Sequence, residues 1–194
     1  MKQIPRVLAV AATLACGAAF AQAEGTGAVE RDVNQQKRIE QGLKSGTLNT
    51  HEAAKLEREQ QVINRMEGKA MKDGSLSPEE QRALANAKNK ASQDIYRQKH
   101  DAQAGNANSS QSRAMQADVQ HNLNQQGRIA GGMAKGRMTT SEAAASEMGQ
   151  SVTEHRQAAS VKGGITAAEQ QKIRATEARH SQNIKRRKHN ARKE

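Results

Sequence analysis

Gly46-Thr-Leu-Asn-Thr-His-Glu52, Gly74-Ser-Leu-Ser-Pro-Glu-Glu80, Gly136-Arg-Met-Thr-Thr-Ser-Glu142 and Gly163-Gly-Ile-Thr-Ala-Ala-Glu169 are four versions of one phrase. Each has Gly, any residue, a bulky apolar residue, then Asn, Ser or Thr, two residues, and Glu. A glycine just past a helix takes the left-handed C′ conformation without steric cost. The Asn, Ser or Thr then acts as N-cap of the next helix, and the Glu three residues on completes a capping box. The apolar residue before the N-cap stands where a hydrophobic staple begins. Its partner position is Ala53 or Ala143 in two phrases and Gln81 or Gln170 in the others, so the staple is weaker there. Each phrase therefore stops one helix and starts another, and the chain is predicted to be all-α.

The corners are nested in a duplication. Asn34-Gln-Gln-Lys-Arg-Ile39 recurs as Asn124-Gln-Gln-Gly-Arg-Ile129. Ser92-Gln-Asp-Ile-Tyr-Arg-Gln-Lys-His100 recurs as Ser181-Gln-Asn-Ile-Lys-Arg-Arg-Lys-His189. The offset of about 90 residues points to two tandem three-helix units, each built from two helix-turn-helix corners. The expected units are residues 24–100 and 115–194, joined by a polar linker over 101–114. Residues 24–31 are expected to be disordered. Helices are expected near 32–44, 50–72, 78–100, 115–134, 140–161 and 167–190. In the second of these Ala53, Leu56, Ile63, Met66 and Ala70 form the single apolar stripe of a half-buried helix. Pro78 fits the first turn of the third, where its missing N–H costs nothing. The repeated Gln-rich and Ser-Gln phrases are expected to pair the first and third helices of each unit, with a ligand surface as the alternative.

The front of the chain has a different character. Lys2 and Arg6 precede an apolar run from Val7 to Phe20 that is too short for a membrane span. Ala21-Gln22-Ala23 follows as an A-x-A site. This is the pattern of a signal peptide over residues 1–23, which implies a periplasmic or secreted product. Processing at Cys16 as a lipoprotein is the alternative. Cys16 is the single cysteine, so a processed chain has no disulfide and no thiolate chemistry. It would retain Tyr96 as its sole aromatic residue and Pro78 as its sole proline. With 35% apolar residues and a mean hydropathy of -0.93, its core is expected to be thin.

Charge directs attention to anions. The chain carries +11 net charge, and residues 121–194 hold few acids. Lys185, Arg186, Arg187, Lys188, Arg192 and Lys193 form a basic C-terminal end and are the expected anion-binding residues. The expected partners are anionic envelope polymers or lipid headgroups. Nucleic acid is disfavoured, because no aromatic side chains stand among these cations to stack on bases.

The corner phrase also matches parts of an EF-hand loop, which wants Gly at position 6, an apolar residue at 8 and Glu at 12. Positions 1 and 3 are Gln41 and Leu43, Lys69 and Met71, Gly131 and Met133, and Ala158 and Ser160, none of them a carboxylate. Calcium takes about six to eight oxygen ligands. Capping alone explains the phrase, and Asp73 with Glu80 is the one place where a metal ion is considered. His51, His100, His121, His155, His180 and His189 form no i, i+4 pair. Met66, Met71, Met133 and Met138 are considered as soft copper ligands but fit core filling better. No nucleophile elbow, zinc-protease helix, P-loop or dinucleotide fingerprint occurs. No catalytic residue and no cofactor are therefore expected, and the remaining acids are assigned to caps and solvent faces.

With the Gln-rich duplication and the Gly-x-Leu-Ser/Thr-x-x-Glu corners in view, the chain resembles a group of small exported proteobacterial helical-repeat proteins with EF-hand-like hairpins. The resemblance covers most of residues 32–190. It implies a helical periplasmic protein and brings no defined activity. The expectation is a non-enzymatic periplasmic or secreted binding or accessory protein that uses a basic surface, the alternative being a calcium- or copper-binding protein.

Overall fold

Capping decides where the helices begin and end. In the computed structural model, which describes the backbone of residues 12–160 and 166–190 and the side chains of 25–157 and 166–190, six helices follow one another. They are α1 (Ala12–Ser45), α2 (Thr50–Ala70), α3 (Pro78–Lys99), α4 (Ser110–Ala134), α5 (Thr140–Ser160) and α6 (Ala167–Asn190). Among the described residues there is no strand, and no helix is long and apolar enough to cross a membrane.

Each corner is built as its sequence requires. Gly46, Gly74 and Gly136 have φ of 74°, 90° and 59°, the region that penalises any side chain. At the third corner the Gly136 and Arg137 N–H groups donate back to the Met133 and Gly132 carbonyls at 2.9 and 2.8 Å, closing the end of α4. Reciprocal capping boxes join Asn49 with Glu52, Ser77 with Glu80, Thr139 with Glu142 and Thr166 with Glu169. Leu48 and Met138, the apolar residues of two corners, are fully buried. Gly163, Gly164 and Ile165 of the fourth phrase lie outside the described residues.

Two expectations need correction. Residues 24–31 are not a disordered start: α1 runs through them, with Gly25 and Val29 buried. Their small residues carry no apolar stripe because they fit against a neighbouring helix. A side chain on Gly25 would meet Met133 and Met71. The linker is also shorter than expected. Ser109 caps α4 at the Ser112 N–H, so residues 110–114 are helical. The preceding loop is strapped to the first corner, with the Gly105 N–H donating to the Gly46 carbonyl at 2.8 Å.

The two repeats interlock. Their most extensive contacts are α2 with α5 and α1 with α4, one partner from each repeat. Both pairs run antiparallel. Gly68 lies on Ala144 and Met148 while Asn64 meets Glu154, and Gly25 meets Met133 while Ile39 clusters with Met115 and Val119. α3 and α6 flank this four-helix centre, α3 on α1 and α2, α6 on α4 and α5. The apolar core is split between the two ends. One cluster joins Ile39, Leu43, Leu48, Leu56 and Ile95 of the first repeat to Met115 and Val119 of the second. The other joins Ile129, Met133, Met138 and Ile184 to Val29 and Met71. Burying one such side chain contributes about 1.5–3 kcal/mol, against about 0.5–1.5 kcal/mol net for a hydrogen bond, so the ends hold the bundle.

The duplicated phrases pair helices, as expected. The Arg38 guanidinium donates to Ser92 Oγ and the Ser92 carbonyl at 2.6 and 3.1 Å. Arg128 does the same to Ser181 at 2.6 and 2.7 Å. These clamps fasten the first helix of each repeat to its third.

Candidate functional site

The second clamp opens onto a cleft. Between α4, α6 and the α4–α5 corner lies a depression of about 390 Å³ lined by Arg128, Arg137, Ser181, Gln182, Lys185, Lys188 and His189. Three elements supply the cations. Arg128 projects from α4 and is held by Ser181, which uses two of its five donors. Arg137 is the variable residue of the third corner phrase, held out by Gly136. Lys185 and Lys188 are three apart on α6 and so share a face. Gly132 makes room for the Lys188 stem, whose Cγ would stand 3.4 Å from a side chain at that position.

Among the described residues no carboxylate pairs with these charges. Among the described residues every ion pair within 4 Å lies in the first repeat, between Asp32 and Arg97 in sequence. Burial lowers the pKa of Lys188, and Arg128, Arg137 and Lys135 lower it further. Burial likewise lowers that of Arg128. Behind the cleft His180 is pushed down to about 4 by burial, Arg187, Arg128 and His121, so it stays neutral at pH 7. The cleft is thus a set of partly desolvated like charges. An anion placed there would relieve them, most strongly by bidentate contact with arginine.

The expected anion-binding residues fall into three groups. Lys185 and Lys188 line the cleft. Arg186 is exposed and bonds Asn183 one turn back, while Arg187 turns toward α5 and donates to Ser146 Oγ at 3.2 Å. Arg192 and Lys193 lie outside the described residues. Sequence reasoning missed Arg128 and Arg137 because they are distant from the basic run. The signal was there: both stand inside phrases already singled out, at positions the duplication brings beside α6.

Asp73 and Glu80 have local partners. Asp73 Oδ1 accepts from the Ser75 N–H at 3.0 Å and its hydroxyl at 3.2 Å. Glu80 Oε2 accepts from the Ser77 N–H at 2.9 Å, as a capping box requires. Among the described residues no group of three or more His, Cys, Asp or Glu is placed to hold a metal ion. Met71, Met133 and Met138 are buried in an apolar cluster, and His100 stacks on Tyr96 with ring centroids 4.1 Å apart.

The acids hold a surprise. Asp32, Glu57, Glu67, Glu147 and Glu154 are buried, not on the solvent faces expected for them. They line the seam between the repeats. Gln36 donates to Glu57 at 3.3 Å, and its counterpart Gln126 to Glu147 at 3.0 Å. At the centre Asn64 donates to both oxygens of Glu154, its own counterpart in the other repeat, at 2.9 and 2.8 Å. Comparison with protein-family models, curated proteins and solved structures finds no match to this chain.

Proposed function

We propose that this chain is a non-enzymatic binding protein of the cell envelope that holds phosphoryl groups of anionic envelope material in the α4–α6 cleft. The observation that carries the reading is the convergence of Arg128, Arg137, Lys185, Lys188 and His189 around one cleft, with no pairing carboxylate among the described residues. Phosphate chemistry follows from two guanidinium groups beside two ammonium groups. The described lining holds no Phe, Tyr or Trp to stack on a base and no aliphatic side chain to take an acyl chain. The envelope location is supported by the leader-like pattern over residues 1–23.

Calorimetric titration with inorganic pyrophosphate tests the reading. Binding is expected, with an affinity that falls as salt rises. The double variant R137T/K185Y, which leaves Arg128 and Lys188 in place, should bind markedly more weakly while keeping its helicity. Equal binding by both proteins would remove the cleft as the site. Vesicles of neutral lipid with and without anionic phospholipid then show whether a lipid headgroup presents the same group.

A further inference from the structure

The seam between the repeats is short of donors. Its buried oxygens without a donor include Asp32 Oδ2, Glu57 Oε1, Glu147 Oε1, Gln36 Oε1, Asn122 Oδ1 and Gln126 Oε1. Among the described residues one buried cation enters it. Lys88 of α3 is buried, donates to Asp32 and to the Ala28 carbonyl, and forms an ion pair with Glu67 at 2.6 Å. It can neutralise one of the two carboxylates beside it. Glu57, Glu147 and Glu154 meet only amide donors from Gln36, Asn64, Asn122, Gln126 and Gln150. A carboxylate accepts and cannot donate, whereas a protonated carboxyl supplies the missing donor. Unpaired charge in such a place is costly, so protonation is the cheaper state.

We propose that the seam is held shut by protons on its buried carboxyls, and that the two repeats part along α1–α4 and α2–α5 when these protons are lost. The groups facing one another come from every helix. They are Asp32 on α1, Glu57 and Glu67 on α2, Lys88 on α3, Asp118 on α4, Glu147 and Glu154 on α5, and Glu177 with Arg174 on α6. Titration directions agree with the geometry. Burial raises Glu57 to about 7 against the hydrogen bonds from Gln36 and Asn122. Burial and Glu177 raise Asp118 to about 7. Burial first, then neighbouring carboxylates, raise Asp32, Glu147 and Glu154 well above the usual range. These pKa values are raised in the folded state. Their stabilisation is therefore full below the unfolded carboxyl range near 4 and is lost as pH rises through 7 and beyond. The cleft, lying inside the second repeat, is not part of this device.

Hydrogen exchange and urea unfolding of the full chain at pH 5, 7 and 9 test the proposal. The urea midpoint should fall from pH 5 to 9. Exchange protection in α2 and α5, corrected for intrinsic rates, should drop at least tenfold. The variant E57Q/E147Q/E154Q, whose amides imitate protonated carboxyls, should flatten both trends. Should that variant fail to fold, carbon-13 titration of the glutamate carboxyls in the unaltered protein replaces it, and at least one should titrate above pH 6. A midpoint that is level or rises from pH 5 to 9, a variant with the unaltered slope, or glutamates that all titrate below pH 5 would overturn the proposal. Pyrophosphate binding at pH 5 is measured alongside, so loss of the cleft reading and loss of the seam reading remain separable.

Discussion

The two repeats carry the same arginine clamp and have opposite charge habits around it. In the first, Arg38 grips Ser92, and the positions that correspond to Arg137 and Lys185 are Thr47 and Tyr96. Thr47 bonds Ser45, and Tyr96 lies on His100. In the second, the same scaffold carries two further cations and opens as a basic cleft. The seam shows the reverse bias. Asp32, Glu67 and Lys88 of the first repeat correspond to Asn122, Gln157 and Glu177 of the second. The first repeat therefore keeps a buried ionic group at the seam, and the second gathers cations around its cleft with no ion pair among the described residues. Duplication separates structural charge from charge available for binding.

Removing Lys88 should break the comparison hardest. K88M leaves Asp32 and Glu67 facing each other without a cation, and loss of one partner from a buried ionic group costs about 3–5 kcal/mol. Urea unfolding at pH 7 should show that loss, and it should shrink toward pH 5 as Asp32 is protonated. E177Q at the matching place keeps an acceptor for the Gln157 amide and strips no cation from a carboxylate pair, so it should cost much less than K88M in the same assay. Gly68 tests how closely the repeats approach. A side chain there would meet Met148 Cγ at 2.5 Å and the Ala144 carbonyl at 2.9 Å. G68A should thus cost about 1–3 kcal/mol, the usual range for overpacking.

Exchanging the lining of the two clefts sharpens the comparison from the binding side. R137T/K185Y should weaken pyrophosphate binding by roughly 10- to 100-fold, or about 1.4–2.8 kcal/mol. The reverse change, T47R/Y96K, should create weak binding in the first repeat, detectable by the same calorimetry. The caps give a smaller effect. T139A removes the N-cap of α5 and should lower stability by about 1 kcal/mol, measured as a shift in thermal midpoint.

Much of this fold is legible because capping is local. Asn49 with Glu52 and Thr139 with Glu142 state a helix start within four residues, and α2, α3, α5 and α6 all begin where their caps predict. The seam is not legible, because period reasoning assigns polar residues to solvent. Glu57, Asn64 and Glu147 look like outward-facing positions until another helix of similar polarity covers them. The start of α1 escapes for a related reason: Gly25 and Ala28 bury backbone and small side chains, which leave no apolar signature. The cleft was half legible. Its α6 half is a visible basic run, whereas Arg128 and Arg137 join it only through tertiary packing.

The split core also governs how the chain reaches this state. Each apolar cluster needs the corner of one repeat and the first helix of the other, so neither closes while only the first half of the chain exists. Local helices form early, but the contacts that fix them span most of the sequence, a high contact order that slows folding. A nascent first repeat carries two unfinished apolar ends, and the nearest match for them is the second repeat of its own chain or of a neighbour. Crowded synthesis should therefore favour exchanged dimers, in which the strap from Gly105 to Gly46 acts as the hinge.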